Sequence, residues 1–222
     1  AMITRKVAPA FAAGCPVVIK PAGTTPYTAV ALVELAHRAG IPKGVINLIT
    51  VSEDNVTEVG DELCSNELVR KISFTGSTNV GKILISKAAS TIKKVSMELG
   101  GHAPFIVFED ADLDEAVTGA MANKYRNSGQ VCVSANRIYV HASIYDEFAN
   151  RLAEKSSQLK VADGRTEGSQ IGPLITPQAF KKVEEHVGDA VQKGAKILTG
   201  GTNDNSGVQF YKPTVLTDIT NN

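Results

Sequence analysis

Short apolar runs alternate with longer amphipathic stretches through the first hundred residues of the chain. The apolar runs have the length and residue types of buried β-strands, and the stretches between them carry apolar residues at helical spacing. The strands are predicted over 15–21, 44–50, 69–75 and 93–99, and the helices over 25–40, 54–64 and 77–89. Strands and helices in this order form right-handed crossovers and a mostly parallel sheet covered on both faces. The predicted fold class is therefore α/β.

The ends of the predicted helices carry typical boundary residues. Thr25 is a candidate N-cap, Pro26 occupies the first helical position and Gly40 follows the last turn. The chain also opens on a helical stretch that ends at Gly14.

The glycine pair at 100–101 interrupts this alternation. A new strand is predicted over 103–110, and Asp112 is placed to cap a helix that runs to about Arg126. The elements predicted beyond it are a loop at 127–135, a strand at 136–142, helices at 143–159 and 177–195, and short strands in the tail. We therefore expect two closely packed domains, residues 1–100 and residues 101–222.

Charge and cysteine content exclude several classes of protein. The 222 residues include 23 basic and 23 acidic side chains, a balance that does not suggest a nucleic-acid or membrane-surface binder. The apolar stretches are too short to span a bilayer. The three cysteines and four histidines are scattered, so neither a disulfide framework nor a metal site is predicted, and a reduced compartment fits best.

Residues 74–82, FTGSTNVGK, nearly match the triphosphate loop G-x-x-x-x-G-K-[ST]. The residue after Lys82 is Ile83, which has no hydroxyl to place on magnesium. The dinucleotide pattern G-x-G-x-x-G is absent as well. A strand followed by Gly76 and a helix still directs backbone N–H groups toward an anion. On these residues alone, phosphate binding and an ordinary strand-to-helix turn are equally supported.

Cys132 lies in the polar, glycine-containing loop NSGQVCVSA. Its small and polar neighbours leave the thiol approachable, whereas apolar neighbours predict that Cys15 and Cys64 are buried structural cysteines. A nucleophilic cysteine also needs a base or a lowered pKa, and no histidine is near Cys132 in sequence. Sequence spacing alone therefore favours a non-catalytic Cys132.

Glu98 ends an apolar strand and is followed by two glycines. The carboxyl ends of parallel strands are where α/β proteins hold catalytic groups. Met97 and Leu99 beside it predict partial desolvation, which raises the pKa of a carboxyl group toward that of a useful general base. The commoner role of such a residue, a salt-bridged strand end, stays open.

Three patterns together resemble the aldehyde dehydrogenase superfamily. They are FTGST (74–78), MELGG (97–101) and YRNSGQVC (125–132), the last matching the family pattern F-x-N-x-G-Q-x-C with Tyr125 in place of phenylalanine. The spacing from Glu98 to Cys132 also matches. The resemblance covers the whole chain and is greatest to members that oxidise succinate semialdehyde. It implies a Rossmann-like, parallel-sheet cofactor domain followed by part of the α/β catalytic domain of that fold.

The resemblance also implies a catalytic chemistry. Cys132 would attack the aldehyde to give a thiohemiacetal, and hydride transfer to NADP or NAD would leave a thioester. Glu98 would activate the water that hydrolyses this thioester, and backbone N–H groups around Cys132 would hold the oxyanion. The implied reaction is the oxidation of succinate semialdehyde to succinate, in 4-aminobutyrate degradation.

The cofactor residues implied by the resemblance lie in three stretches of the first domain. They are Lys20, Pro21, Ala22 and Gly23; Gly76, Ser77, Thr78, Asn79, Val80 and Gly81; and Leu99. Lys20 would reach the adenosine ribose, Ser77 would donate to the pyrophosphate, and the Leu99 carbonyl would contact the nicotinamide amide. Members that prefer NAD often have glutamate where this chain has Gly23, so the resemblance favours NADP or dual use. Lys82 and Ile83 would then be surface and packing residues of a helix.

Two arginines are implied to select the substrate. Arg126, six residues before Cys132, and Arg5 would hold the distal carboxylate of a semialdehyde. A guanidinium pairs with a carboxylate through two parallel hydrogen bonds, which fixes the distance from acid to aldehyde. A solvated or structural role for Arg5, on a helix, stays open.

Three alternative functions stay open. They are a dehydrogenase of another short ω-acid aldehyde such as glutarate semialdehyde, an inactive dehydrogenase-derived binding module, and a triphosphate-loop enzyme.

Both ends of the chain look truncated, so we expect an internal fragment that is inactive alone. The full-length protein is expected to be a homodimer or homotetramer that binds neither nucleic acid nor membrane. Cytoplasm and mitochondrion both remain open as its location.

Overall fold

The computed structural model describes residues 2–220 and divides into two compact units, one on either side of the bond between Gly100 and Gly101. The elements of the first unit are α1 (Met2–Ala12), β1 (Val17–Ile19), α2 (Tyr27–Arg38), β2 (Ile46–Leu48), α3 (Val56–Ser65), β3 (Lys71–Thr75), α4 (Thr78–Ala88) and β4 (Lys94–Glu98). Those of the second are β5 (Ala103–Val107), α5 (Leu113–Tyr125), β6 (Ala135–Val140), α6 (Tyr145–Ser157), α7 (Pro177–Gln192), β7 (Lys196–Thr199) and β8 (Val215–Thr217).

Strand pairing is mostly parallel, and the predicted α/β class is confirmed. β1 pairs with β2, β3 with β4 and β5 with β6, all in parallel, whereas β7 and β8 are antiparallel. Each of the three parallel pairs is joined by a connection that contains a helix, as parallel strands require. Among the residues described, the four pairs are separate two-stranded sheets.

The start of α2 differs from the prediction. Pro26 occupies the N-cap position, and its carbonyl accepts hydrogen bonds from the N–H groups of Ala29 and Val30 at 3.0 and 3.1 Å. The predicted start is therefore wrong by one residue: Pro26, predicted as the first helical residue, is the N-cap, and Thr25, predicted as the N-cap, lies before it. The other end agrees with the sequence, since Gly40 follows the C-cap with a left-handed φ of 88°.

The start of α5 agrees with the prediction. The Asp112 side chain accepts hydrogen bonds from the N–H groups of Asp114 and Glu115 at 2.9 and 3.0 Å. These are two of the donors that the first turn of a helix leaves without an intrahelical partner.

The core of the second unit lies where α5 and α6 pack over β5 and β8. Its buried members are Val107, Val117, Ala120, Phe148, Leu152, Ala153 and Val215. This packing fixes α5, whose last turn leads directly into the loop that contains Cys132. No helix within residues 2–220 is long and apolar enough to cross a membrane.

Replacing Asp112 with alanine should lower the free energy of unfolding by about 1 kcal/mol, because two N–H groups lose their acceptor. Urea denaturation of the whole protein, followed by circular dichroism, measures the change. Asp112→Asn is the matched control and should stay close to the parent protein, since asparagine caps helices as well as aspartate does. Equal stability of Asp112→Ala and the parent would contradict the capping role.

Candidate active site

The loop that contains Cys132 begins with a run of left-handed backbone. After α5 ends, Asn127, Ser128 and Gly129 have φ values of 50°, 56° and 75°. Non-glycine residues rarely adopt this conformation. At the third position a side chain would also be crowded, because a Cβ on Gly129 would lie 3.1 Å from the Lys124 carbonyl oxygen. The run reverses the chain over the end of α5.

Cys132 occupies a tight turn that follows this run. The Ser134 N–H donates to the Val131 carbonyl at 3.1 Å, so Cys132 and Val133 are the two central residues of the turn. The hydrogen bond that closes the turn does not use the N–H groups of these two residues. The Cys132 thiol is free and exposed, which confirms the predicted accessibility.

The two ends of the loop are fastened to each other by residues that sequence analysis did not single out. The Asn123 Oδ1 atom accepts from the Ala135 N–H at 2.6 Å, and its Nδ2 group donates to the Val133 carbonyl at 3.4 Å. The buried Ser134 hydroxyl donates to the Lys124 carbonyl at 3.3 Å. Burial also lowers the pKa of Lys124. Of these residues, only Ser134 offered a sequence signal for fastening the loop, because it is small and polar.

The other two cysteines behave differently from each other. Cys64 is 1% exposed on α3, as predicted, and burial together with the nearby charge of Asp61 raises the pKa of its thiol. Cys15 is exposed, so the prediction that it is a buried structural cysteine is wrong. It lies between the end of α1 and the start of β1, outside both elements.

Glu98 is the last residue of β4, and its side chain is exposed. Met97 and Leu99 beside it are half-buried. Successive side chains of a strand point to opposite faces, so these apolar neighbours do not cover the carboxylate. The predicted partial desolvation of Glu98 is therefore wrong for the unit described here.

The glycine loop, residues 76–81, lies beside Glu98 at the carboxyl ends of β3 and β4. Thr75 pairs with Glu98 in the parallel register, and the Gly76 N–H donates to the Glu98 carbonyl at 3.1 Å. The helix α4 begins directly after this point, with Ser77 as its N-cap accepting from the Val80 N–H at 3.3 Å. The N–H groups of the first turn thus point out at the carboxyl end of the sheet, where phosphates bind in α/β proteins.

Two glycines of this loop lie against side chains that would have to move to admit a Cβ atom. A Cβ on Gly76 would lie 2.4 Å from the ring of Phe74, and one on Gly81 would lie 2.6 Å from a methyl group of Leu99. Gly81 is buried under Leu99, which connects the loop to the residue that follows Glu98. Lys82 is exposed as predicted, whereas Ile83 is 52% exposed, so its assignment as a packing residue of α4 is wrong within this unit.

Lys20 lies just after β1, where its Nζ group donates to the Pro21 carbonyl at 3.0 Å. A cavity of about 230 Å³ adjoins it at the carboxyl ends of β1 and β2. Its lining residues are Pro21, Ala22, Gly23, Pro26, Thr50, Val51 and Ser52. The last three were missed by sequence analysis, although they follow β2 and the ends of neighbouring parallel strands lie side by side.

The groups at these strand ends have the chemistry that a nucleotide's sugar and phosphates bind. The cavity holds polar backbone and hydroxyl groups beside a lysine, and the start of α4 offers N–H groups to an anion. Gly23 is open, because a Cβ there would meet only the Val51 carbonyl oxygen, at 3.9 Å. Among residues 2–220, no group of three or more His, Cys, Asp or Glu side chains is arranged to hold a metal ion.

The two arginines considered for the substrate lie in different units. Arg5 is exposed on α1 in the first unit, and Arg126 is exposed where α5 ends in the second. Arg126 precedes the left-handed run directly, so its backbone is fixed by the same loop that fixes Cys132.

Comparison with known proteins identifies the relatives of this chain. The profile of the Aldehyde dehydrogenase family matches residues 1–222. A glutarate-semialdehyde dehydrogenase of Pseudomonas putida is 58% identical over 219 residues, covering 99% of this chain and 45% of its own length. A succinate-semialdehyde dehydrogenase of Escherichia coli, whose name specifies NADP(+), is 56% identical over 219 residues with the same coverage.

A solved structure is equally similar. The crystal structure of succinate-semialdehyde dehydrogenase from Burkholderia pseudomallei superposes with a TM-score of 0.96 at 54% identity, covering 99% of this chain and 45% of that one. The predicted fold is therefore confirmed. The chain spans a little less than half the length of the relatives it matches.

Iodoacetamide should label Cys15 and Cys132 in the native protein at least about tenfold faster than Cys64, because burial and a raised thiol pKa both lower the reactivity of Cys64. Peptide mass spectrometry at successive times measures the three rates. In urea the rates should converge. Labelling of Cys64 as fast as Cys132 in the native state would show that the burial of α3 is incorrect.

Proposed function

The chain belongs to the aldehyde dehydrogenase family, and on that premise we propose that the whole protein oxidises succinate semialdehyde to succinate with NADP or NAD. The observation that supports this most directly is the exposed Cys132 thiol on a turn whose flanks are hydrogen-bonded on both sides. A nucleophile needs both access and a fixed position, and this loop provides both. Because the chain spans less than half the length of its relatives, the proposal concerns the whole protein.

In the proposed reaction the Cys132 thiolate attacks the aldehyde carbon and forms a thiohemiacetal. The N–H groups of Cys132 and Val133, which the turn does not pair, are available to stabilise the oxyanion. Loss of hydride from the adduct leaves a thioester on Cys132. A nicotinamide held at the strand ends of the first unit would supply the hydride acceptor.

Glu98 is proposed to remove a proton from the water that hydrolyses the thioester. The exposure of its carboxylate supports access to water, and the Gly76 N–H bond to its carbonyl fixes its backbone. A general base must approach the proton that it removes to hydrogen-bond distance. In the proposed mechanism the whole protein brings Glu98 and Cys132 to a common substrate.

The cofactor is proposed to bind along the carboxyl ends of the strands in the first unit. Lys20 and the cavity beside it would hold the adenosine ribose, and Ser77 with the start of α4 would hold the pyrophosphate. Gly23 places no carboxylate in the cavity to repel a 2′-phosphate, and the Lys20 ammonium would attract one. These features support NADP over NAD.

Arg126 and Arg5 are proposed to bind the distal carboxylate of the substrate. Glutarate semialdehyde, one methylene longer, is the second candidate, supported by the 58% identity with a glutarate-semialdehyde dehydrogenase. An inactive binding module is less well supported, because Cys132 and Glu98 are both retained. We also propose that residues 1–222 alone are inactive and that the whole protein is a homo-oligomer.

Steady-state kinetics of the whole protein with succinate and glutarate semialdehydes, each with NADP and NAD, tests the proposal. Cys132→Ser should lower kcat by at least about 10⁴-fold, because the hydroxyl is a far weaker nucleophile at neutral pH. Glu98→Gln should also lose turnover while Cys132 remains open to alkylation. Cys15→Ser is the control and should match the parent. Turnover that survives Cys132→Ser would overturn the assigned nucleophile.

Arg126→Gln should raise KM for succinate semialdehyde by about 10- to 100-fold, because a charge-assisted pair with the carboxylate is lost. An uncharged aldehyde of similar length, such as butanal, should show little change. Arg137→Gln is the matched control, since Arg137 donates to the His102 carbonyl and lies on β6. Equal effects on charged and uncharged aldehydes would contradict carboxylate recognition by Arg126.

A further inference from the structure

We propose that Gln130 is a positioning residue, which fixes the turn of Cys132 by binding the backbone of residues 172–175 through its side-chain amide. The proposal builds on the function proposed above, in which Cys132 is the nucleophile. Gln130 lies two residues before Cys132 and is itself exposed. It would act on the reaction through the backbone, without touching the substrate.

Both the oxygen and the nitrogen of the Gln130 side-chain amide form hydrogen bonds with the backbone. Its Oε1 atom accepts from the Ile175 N–H at 2.9 Å, and its Nε2 group donates to the Pro173 carbonyl at 3.2 Å. A residue of a parallel strand pairs in the same way with the residues before and after its partner. The Gln130 side-chain amide therefore bonds to Pro173 and Ile175 as a residue of a neighbouring parallel strand would, with Leu174 as the residue opposite it.

The segment that Gln130 binds is itself held from its other edge. The Leu174 N–H donates to the Gln209 carbonyl at 2.9 Å, and the Gln209 Nε2 group donates to the Leu174 carbonyl at 2.6 Å. Alternate backbone groups of an extended segment point to opposite sides, so Gln130 and Gln209 bind opposite edges. The segment is thus a fixed support for the loop.

A second side chain strengthens the same attachment. The Ser128 hydroxyl accepts from the Gly172 N–H at 2.9 Å. Together Ser128 and Gln130 join the left-handed run to the supporting segment through three hydrogen bonds.

The loop needs such an attachment because its backbone is strained. Asn127 and Ser128 both have left-handed dihedral angles, which persist only where the surroundings hold them. The bonds from Asn123 and Ser134 fasten the ends of the loop, but they do not reach the residues at 127–130. Gln130 lies between the left-handed run and the turn of Cys132. Removing its side-chain amide would therefore allow the backbone of both segments to change conformation.

The test uses the whole protein, with Gln130→Ala as the main variant. Gln130→Glu keeps the acceptor for Ile175 but places a carboxylate oxygen against the Pro173 carbonyl, so it should fail to rescue. Gln178→Ala, an exposed glutamine on α7, is the matched control. The measurements are kcat and KM, amide hydrogen exchange of Ser134, whose N–H closes the turn of Cys132, and thermal unfolding.

We expect Gln130→Ala to lower kcat by about 10- to 100-fold with KM changed by less than about threefold, since a small misplacement of a reacting atom has that effect. Exchange of the Ser134 N–H, which donates to the Val131 carbonyl and closes the turn, should accelerate about tenfold, which corresponds to the loss of one or two net hydrogen bonds. The control should match the parent. A lower melting temperature with unchanged kcat would mean a purely structural role and would overturn the proposal.

Failure of this proposal is distinguishable from failure of the proposed function. If the parent protein oxidises neither semialdehyde with either cofactor, the proposed function fails, and the exchange measurement still tests the attachment. Unchanged exchange of the Ser134 N–H in Gln130→Ala would then overturn the positioning role. Faster exchange of the Ser134 N–H, in addition to that of Ile175, which loses its acceptor directly, would support it.

Discussion

The hydrogen bond from the Gly76 N–H to the Glu98 carbonyl completes the parallel pairing of β3 and β4, and the geometry of the first unit depends on that pairing. The pairing places the end of β3, the start of α4 and Glu98, the last residue of β4, side by side. The positions of the start of α4 and of the Glu98 carboxylate both follow from this register. A shift by one residue would turn the Glu98 side chain to the opposite face of the sheet.

The second unit reaches its geometry by different means. There the nucleophile candidate lies outside regular structure, on a strained loop, and side-chain amides and hydroxyls replace the sheet ladder as the source of order. Asn123, Ser134 and Gln130 are bound to backbone groups instead of to each other. Such bonds fix the path of the main chain, and Cys132 follows that path with its thiol exposed.

Local features of the fold were predictable from sequence, and long-range contacts were not. The cap at Asp112 and the turn at Gly40 were predicted by rules that involve a few neighbouring residues, although the same rules misplaced the cap of α2 by one residue. The exposure of Glu98 and Cys15 was mispredicted because apolar neighbours in sequence need not be neighbours in space. The bonds of Gln130 join residues more than 40 positions apart, and no spacing rule predicts them. Catalytic interpretation of Cys132 came from resemblance to a family, since its sequence surroundings alone argued against it.

The glycines of the first unit differ in how freely they can change. Gly76 and Gly81 are confined by Phe74 and Leu99, whereas Gly23 opens onto the cavity beside Lys20. Under the proposed function, a side chain in the part of the site assigned to the pyrophosphate would require Phe74 or Leu99 to move, whereas Gly23, in the part assigned to the ribose, has room for one. Cofactor preference in such a protein is therefore an evolvable trait, which a single codon can alter without rebuilding the scaffold that binds the rest of the molecule.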